Sequence, residues 1–133
     1  MQKKVACIGN ALVDKVCMFQ SDNLLCEQNR PKGSMQLIDE KESKRLQAFT
    51  QELKSTLATG GSAANTASGT ANMGIETTYI GMVGDDELGD FYIQDMQQNN
   101  ISTCIFRNSD MQTGLALALV SPDGERTFAT NLG

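Results

Sequence analysis

No histidine and no tryptophan occur in this chain of 133 residues. Without histidine, neither a Ser-His-Asp nor a Cys-His nucleophile can be assembled from these residues, and no imidazole is present to hold a metal. The four cysteines are Cys7, Cys17, Cys26 and Cys104. None forms a Cys-x-x-Cys pair, which argues against a zinc ribbon or a thioredoxin-like site. Their irregular spacing, with no export signal, reads as buried or incidental thiols in a reducing cytoplasm. Long apolar runs are also missing. The longest, Leu115 to Val120, is far too short to span a bilayer. Near the N-terminus Asn10 and Asp14 interrupt what would have to be a continuous apolar stretch in a secretory segment, so export is not expected. Positive charge is in deficit: 11 Lys+Arg against 16 Asp+Glu gives a formal charge of −5. That balance leaves no basic footprint for nucleic acid or an anionic membrane. Only two prolines interrupt the chain, and no repeat or low-complexity linker is visible.

What remains is enough to build a core, with 40% hydrophobic and 20% charged residues. Lys3 to Gly9 reads as a buried strand running into a Gly-Asn turn. Val16 to Gln20 and Gly33 to Ile38 read as short extended segments of a small sheet. Glu40 to Ser55 reads as a helix capped by Asp39, with Glu42 placed to complete a capping box and Leu46, Phe49 and Leu53 on one stripe. Ser62 to Met73 reads as a second helix of small residues, with Gly74 past its end. Thr77 to Val83 reads as a buried strand, and Glu87 to Gln98 as a third helix. Leu115 to Val120 and Arg126 to Thr130 read as a hairpin about Pro122-Asp123-Gly124. Strands alternating with helices predict an α/β fold with a largely parallel sheet and an antiparallel addition. The chain stops at Gly133 just after a strand, which reads as an incomplete domain with an open edge.

Three places carry chemistry. Asn10 and Asp14 follow the first strand, where ligands of open α/β sheets bind, and an amide beside a carboxylate suits vicinal hydroxyls. The same two residues equally suit turn capping. Gly60-Gly61-Ser62 with Asn65 lets a backbone approach a ligand at a helix start. It is neither a phosphate P-loop nor a dinucleotide fingerprint, and a plain Gly-rich turn before a packed helix is the simpler alternative. The acidic stretch Asp85-Asp86-Glu87 lacks the spacing of a calcium loop and reads as helix capping, with Asp85 as the cap. Arg126, the one positive charge after Ser109, either reaches a phosphate or pairs with Glu125 or Asp123 at the surface.

Taken in order, Gly9-Asn10-Ala11-Leu12-Val13-Asp14, Lys32-Gly33-Ser34-Met35, Thr59-Gly60-Gly61-Ser62-Ala63-Ala64-Asn65-Thr66-Ala67, Gly81-Met82-Val83-Gly84-Asp85-Asp86 through Gly89, and Arg126 to Gly133 resemble the N-terminal half of a ribokinase-like (PfkB) carbohydrate kinase. Within that family they lean toward the adenosine-kinase-like branch. The resemblance implies part of a ribokinase-like three-layer α/β fold over residues 1–133. It implies a small antiparallel β-lid from about 15–38 and 113–131. It also implies substrate-binding roles for Asn10, Asp14, Gly60, Gly61, Ser62, Asn65 and Arg126. The implied reaction moves the ATP γ-phosphate, with Mg²⁺, to a hydroxymethyl group of a sugar or nucleoside. The family carries its base and anion-stabilising turn in a second signature, Asp-Thr-x-Gly-Ala-Gly-Asp, which this sequence lacks. No catalytic base and no metal ligand are therefore assigned, the ATP-binding half is expected to be absent, and the chain alone is expected to be inactive and to bind no cofactor. Expected partners are a small sugar or nucleoside and a second copy through the lid, with no nucleic acid and no membrane. The expected location is cytoplasmic. The alternative is a stand-alone, non-catalytic ligand-binding or lid-dimerising module.

Overall fold

Strands and helices alternate from Leu12 to Asn108, with a further strand before and two after, in residues 3–133, the part of the chain that this computed structural model describes. Their order is β1 (Lys4–Ile8), β2 (Leu12–Met18), α1 (Asn23–Glu27), β3 (Met35–Leu37), α2 (Glu40–Phe49), β4 (Ser55–Gly60), α3 (Ser62–Asn72), β5 (Glu76–Gly84), α4 (Glu87–Gln98), β6 (Ser102–Asn108), β7 (Gly114–Val120) and β8 (Arg126–Asn131). They divide into two compact units. Among the described residues no helix is long and apolar enough to cross a membrane.

The first unit holds the residues up to Val13, Ala58–Gly114 and Gly133. Its sheet has the order β1-β5-β6 and is parallel throughout, with Val5 opposite Thr77 and Ile80 opposite Cys104. Parallel neighbours need a crossover, and α3 and α4 supply it, packing on β1, β5 and β6. The alanines of α3 explain its closeness: Ala64 and Ala67 are fully buried. Met73 ends the helix, and Gly74 follows at φ +77, the left-handed position that the sequence predicted.

Helix α4 is capped by Asp86, not by the expected Asp85. Asp86 has the extended backbone of an N-cap, and its carboxylate accepts from the Gly89 amide at 2.8 Å. The same carboxylate accepts from the Thr113 amide at 2.8 Å and the Thr113 hydroxyl at 2.6 Å, tying the loop before β7 to the start of α4. Asp85 instead faces Arg107 at 3.5 Å. Burial pushes the Asp86 carboxyl up, but the Thr113 and Gly89 hydrogen bonds and the nearby Arg107 charge outweigh it, so the group ends below its ordinary range. A depressed pKa contributes stability above the unfolded value, and that stability is lost as pH falls through the folded value. Asp86→Ala should therefore cost about 2 kcal/mol in urea unfolding at neutral pH, and the gap to wild type should close in acid.

The second unit holds Asp14–Leu57 and Leu115–Leu132. Its five-stranded sheet has the order β3-β8-β7-β2-β4. The sheet is mixed rather than antiparallel: β7 and β8 form the predicted hairpin, with Ala118 opposite Phe128, but β3 joins β8 in parallel. The unit also takes in α2 and the start of β4, beyond the segments read as the small sheet. One face carries the core, where Cys17, Phe19, Leu117, Leu119 and Ala129 meet Leu25 of α1 and Leu46 of α2. Helix α2 ends at Phe49, well before Ser55. Thr50 caps it, turning its hydroxyl back to the Leu46 carbonyl at 2.8 Å, and the following Ser-Thr-Leu-Ala-Thr-Gly is strand β4.

Asp39 caps α2 as predicted, accepting from the Glu42 amide at 2.8 Å. The Glu42 side chain does not close the capping box, because arginines claim it. Arg45 Nε lies 2.7 Å away and Arg30 reaches it at 2.8 Å. The Arg45 hydrogen bonds first, and then those of Arg30, hold the Glu42 carboxyl down at about 2. Arg30 is only 7% exposed and also donates to Gln36 Oε1 at 2.6 Å, so it clips β3 to the first turn of α2. Arg30→Ala should lower unfolding free energy by about 2 kcal/mol; the Arg45 pair keeps Glu42 from being stranded, which holds the loss below that of a broken buried pair. At the hairpin tip Lys32 bridges Asp22 at 2.8 Å and Asp123 at 2.7 Å. Asp123 is thus taken by Lys32 and not by Arg126, one of the alternatives the sequence left open.

Candidate functional site

Asn10 sits in the loop that follows β1. The Gly9 amide donates to the Ile80 carbonyl at 3.2 Å, so the loop continues the β1–β5 pairing. The loop then presses on the start of α3. A Cβ on Gly9 would lie 2.5 Å from Ala63 Cβ, and one on Gly61 would lie 2.8 Å from the Asn10 carbonyl oxygen. Gly61 is the N-cap of α3, at φ +94 and ψ 144, and offers no side-chain cap. No acidic residue occupies the first turn of α3. Its leading N–H groups are therefore left for backbone or ligand oxygen. Ser62 and Asn65 lie exposed on this turn, and the Asn65 amide donates to the Gly61 carbonyl at 3.0 Å. The structure thus brings Asn10, Gly60, Gly61, Ser62 and Asn65 into one place in the first unit. Amide, hydroxyl and N–H groups of this kind can hydrogen-bond a polyol; none can act as a strong base at neutral pH.

Two aromatic residues that the sequence analysis did not single out as site residues hold this place from below. Tyr79 of β5 donates to the Gly9 carbonyl at 3.1 Å, and Tyr92 of α4 to the Gly60 carbonyl at 3.3 Å. In a sequence a core tyrosine reads as hydrophobic volume, and nothing marked these hydroxyls. Thr59, just before Gly60, is held by its own hydrogen bond to Asp95 at 2.7 Å.

Asp14 belongs to the second unit, on β2. Side chains alternate along a strand, and Cys17 faces the core, so Asp14, Val16 and Met18 lie on the opposite face. By the same alternation Ala116, Ala118 and Phe128 share that face, and Met35 lies beside Phe128 in register. Met18, Met35 and Leu37 are exposed there. Asp14 is half-buried and has no hydrogen-bond or ion-pair partner among the described residues. Burial pushes its carboxyl above the ordinary range. Arg126 is exposed and makes no ion pair among the described residues. It is opposite Val120, whose carbonyl receives the Phe19 amide, so it lies by the far end of β2 from Asp14. The structure does not bring Arg126 and Asp14 together.

No group of three or more His, Cys, Asp or Glu side chains converges among the described residues. Asp85 faces Arg107 and Asp86 is spent on capping, so the acidic stretch does not fit a Mg²⁺ site.

Known proteins carry the same pattern. A probable sugar kinase from Rhizobium etli superposes with a TM-score of 0.80 at 33% identity, over 98% of this chain and 39% of that protein. An adenosine kinase from Sinorhizobium meliloti superposes with a TM-score of 0.79 at 32% identity, over 100% of this chain and 40% of that protein. A fructokinase-2 from Zea mays is 37% identical over 73 residues, which are 53% of this chain and 22% of that protein. This chain thus spans well under half the length of the relatives it matches. The α/β architecture is that of the ribokinase-like fold, which these superpositions cover almost end to end. Residues 33–133 match the pfkB family carbohydrate kinase pattern, and with that match over most of its length the chain belongs to this family of kinases.

Proposed function

We propose that this chain provides the acceptor-binding part of an ATP-dependent kinase that phosphorylates a hydroxymethyl group of a nucleoside or furanose sugar, and that its second unit serves as the lid of that kinase. The observation that carries this reading is Asp14. A half-buried carboxylate with no partner among the described residues is costly to keep, and burial already disfavours its charge. A ligand that offers two hydroxyls would satisfy it. Within the first unit, Asn10, Asn65 and the leading N–H groups of α3 suit the hydroxyl oxygens of a ligand of the same chemical class. The apolar side chains on the Asp14 face, Phe128 and the exposed Met18 and Met35, suit a flat base, which favours a nucleoside over a bare sugar. A lid of this kind would exclude water from the transfer. The same exposed methionines and Leu37 also suit pairing of two copies through this face.

ATP and Mg²⁺ are the co-reactants that kinase chemistry requires. No group of three or more His, Cys, Asp or Glu side chains that could hold the metal converges among the described residues, and no transfer step is assigned to them. The test is to express the complete reading frame that contains this chain and measure ATP-dependent phosphorylation of adenosine, ribose and fructose. Transfer to at least one of them, with adenosine preferred, is expected. Transfer to none of the three would overturn the reading.

A further inference from the structure

We infer that Tyr79 and Tyr92 are positioning residues for the acceptor site: their hydroxyls fix the separation between the Gly9–Asn10 loop and the Gly60–Gly61 entry to α3. The inference rests on the acceptor-binding reading of that place. Both tyrosines are fully buried, at 0% exposure, and their rings meet at 5.6 Å with an angle of 53° between planes. A buried tyrosine hydroxyl needs a hydrogen-bond partner. Here the partners include two main-chain carbonyls, Gly9 at 3.1 Å and Gly60 at 3.3 Å, and the two tyrosine side chains also hydrogen-bond each other. Each carbonyl belongs to the residue just before a candidate ligand group, Asn10 in one loop and Gly61 in the other. Phenylalanine would fill the same core volume, so packing alone does not call for tyrosine at either position. The two rings touch each other, one from β5 and one from α4. One aromatic pair thereby links the two loops, in addition to the separate supports that the Gly9 amide and Thr59 supply.

The geometry leaves little slack. The Asn10 carbonyl oxygen lies where a Gly61 Cβ would come within 2.8 Å. Releasing either loop shifts Asn10 relative to the α3 N–H groups by amounts that matter to hydrogen bonds, whose useful range is a few tenths of an ångström. The hydroxyls therefore act on the ligand through Asn10 and Gly61 and touch it nowhere themselves.

The experiment compares the wild-type chain with Tyr79→Phe, Tyr92→Phe and the double variant. Amide hydrogen exchange and ¹⁵N spectra read the loops, and titration with adenosine and with ribose reads the site. In the double variant, exchange should speed up about tenfold at the amides of Asn10, Gly61, Ser62 and Ala63, while the amides of α2 stay as in wild type. Affinity for the probe that wild type binds should fall about tenfold in the double variant and less in each single one. Unchanged loop amides, or an affinity within about twofold of wild type, would overturn the inference. Should the double variant not fold, the wild-type spectra decide: slowly exchanging hydroxyl protons of both tyrosines are expected, and rapid exchange of either would refute the clamp. Binding of neither probe by wild type would count against the acceptor reading alone, and the clamp would then be judged on the amides.

Discussion

Replacing Asp14 by alanine is expected to weaken acceptor binding about a hundredfold in the complete kinase while leaving ATP affinity within about twofold. The estimate comes from the number and kind of bonds at stake. A hydrogen bond to an ionised group contributes about 1.5–3 kcal/mol, and a vicinal diol offers two donors to one carboxylate. Even with partial compensation by water the loss reaches about 2.7 kcal/mol, which is two decades in Kd. Isothermal titration with acceptor, and separately with ATP, reads both arms. An unchanged acceptor affinity would remove Asp14 from the site.

The same residue predicts a stability effect of opposite sign. Its carboxyl is raised in the folded chain because burial disfavours the charge. Below the unfolded value both states are protonated and the group costs nothing. As pH rises through the folded value, the folded chain must ionise a poorly solvated group, and stability falls. Asp14→Asn should therefore melt above wild type at about pH 7, and the difference should shrink to nothing near pH 3. A residue kept at a cost to stability, and repaid only when ligand is present, is what a binding group looks like in the absence of ligand.

Elements whose local pattern agrees with their packing were legible in the sequence. Helix α4 ends where its apolar spacing ends, and α3 runs from its Gly-Gly start to its left-handed glycine. Elements defined by long-range pairing were not. Strand β6 has Thr103 and Ile105 half-buried but Cys104 and Phe106 exposed, so apolar residues fall on both faces and the alternation is blurred. Strand β4 is exposed from Ser55 to Ala58 and exists through its place beside β2, which no local pattern announces. Helix α1 is one short turn closed by Asn29 at φ +52. The choice of Asp86 over Asp85 as a cap was decided by backbone geometry, since two adjacent aspartates are equal on composition. At the site, Gly60 to Asn65 form one local segment and could be read together. The contact of Asn10 with Gly61, and the two hydroxyls beneath, are tertiary facts without a sequence mark.

That contact sets the other large effect, at Gly61. Its backbone stands at φ +94 and ψ 144, close to a region that side-chain-bearing residues essentially never occupy, at a strain of about 1–3 kcal/mol. A methyl group there also meets the Asn10 carbonyl oxygen at 2.8 Å. That oxygen belongs to main chain, and Gly9 before it is pinned by Tyr79 and crowded against Ala63, so it cannot swing aside as a flexible side chain would. Gly61→Ala should therefore lose about 3 kcal/mol in urea unfolding, and acceptor binding should fall further than stability alone explains, because relief of the clash moves Asn10 away from α3. Ser62→Ala, on an exposed position of the same turn, serves as the control and should stay within about 0.5 kcal/mol of wild type in stability. Two arrangements are separated by this pair. If Gly61 marks only a flexible turn, alanine there will be neutral or slightly stabilising, as it is where the backbone conformation permits a side chain. If the loop after β1 is built against the entry to α3, the loss will be large, confined to Gly61, and accompanied by altered amide shifts at Asn10.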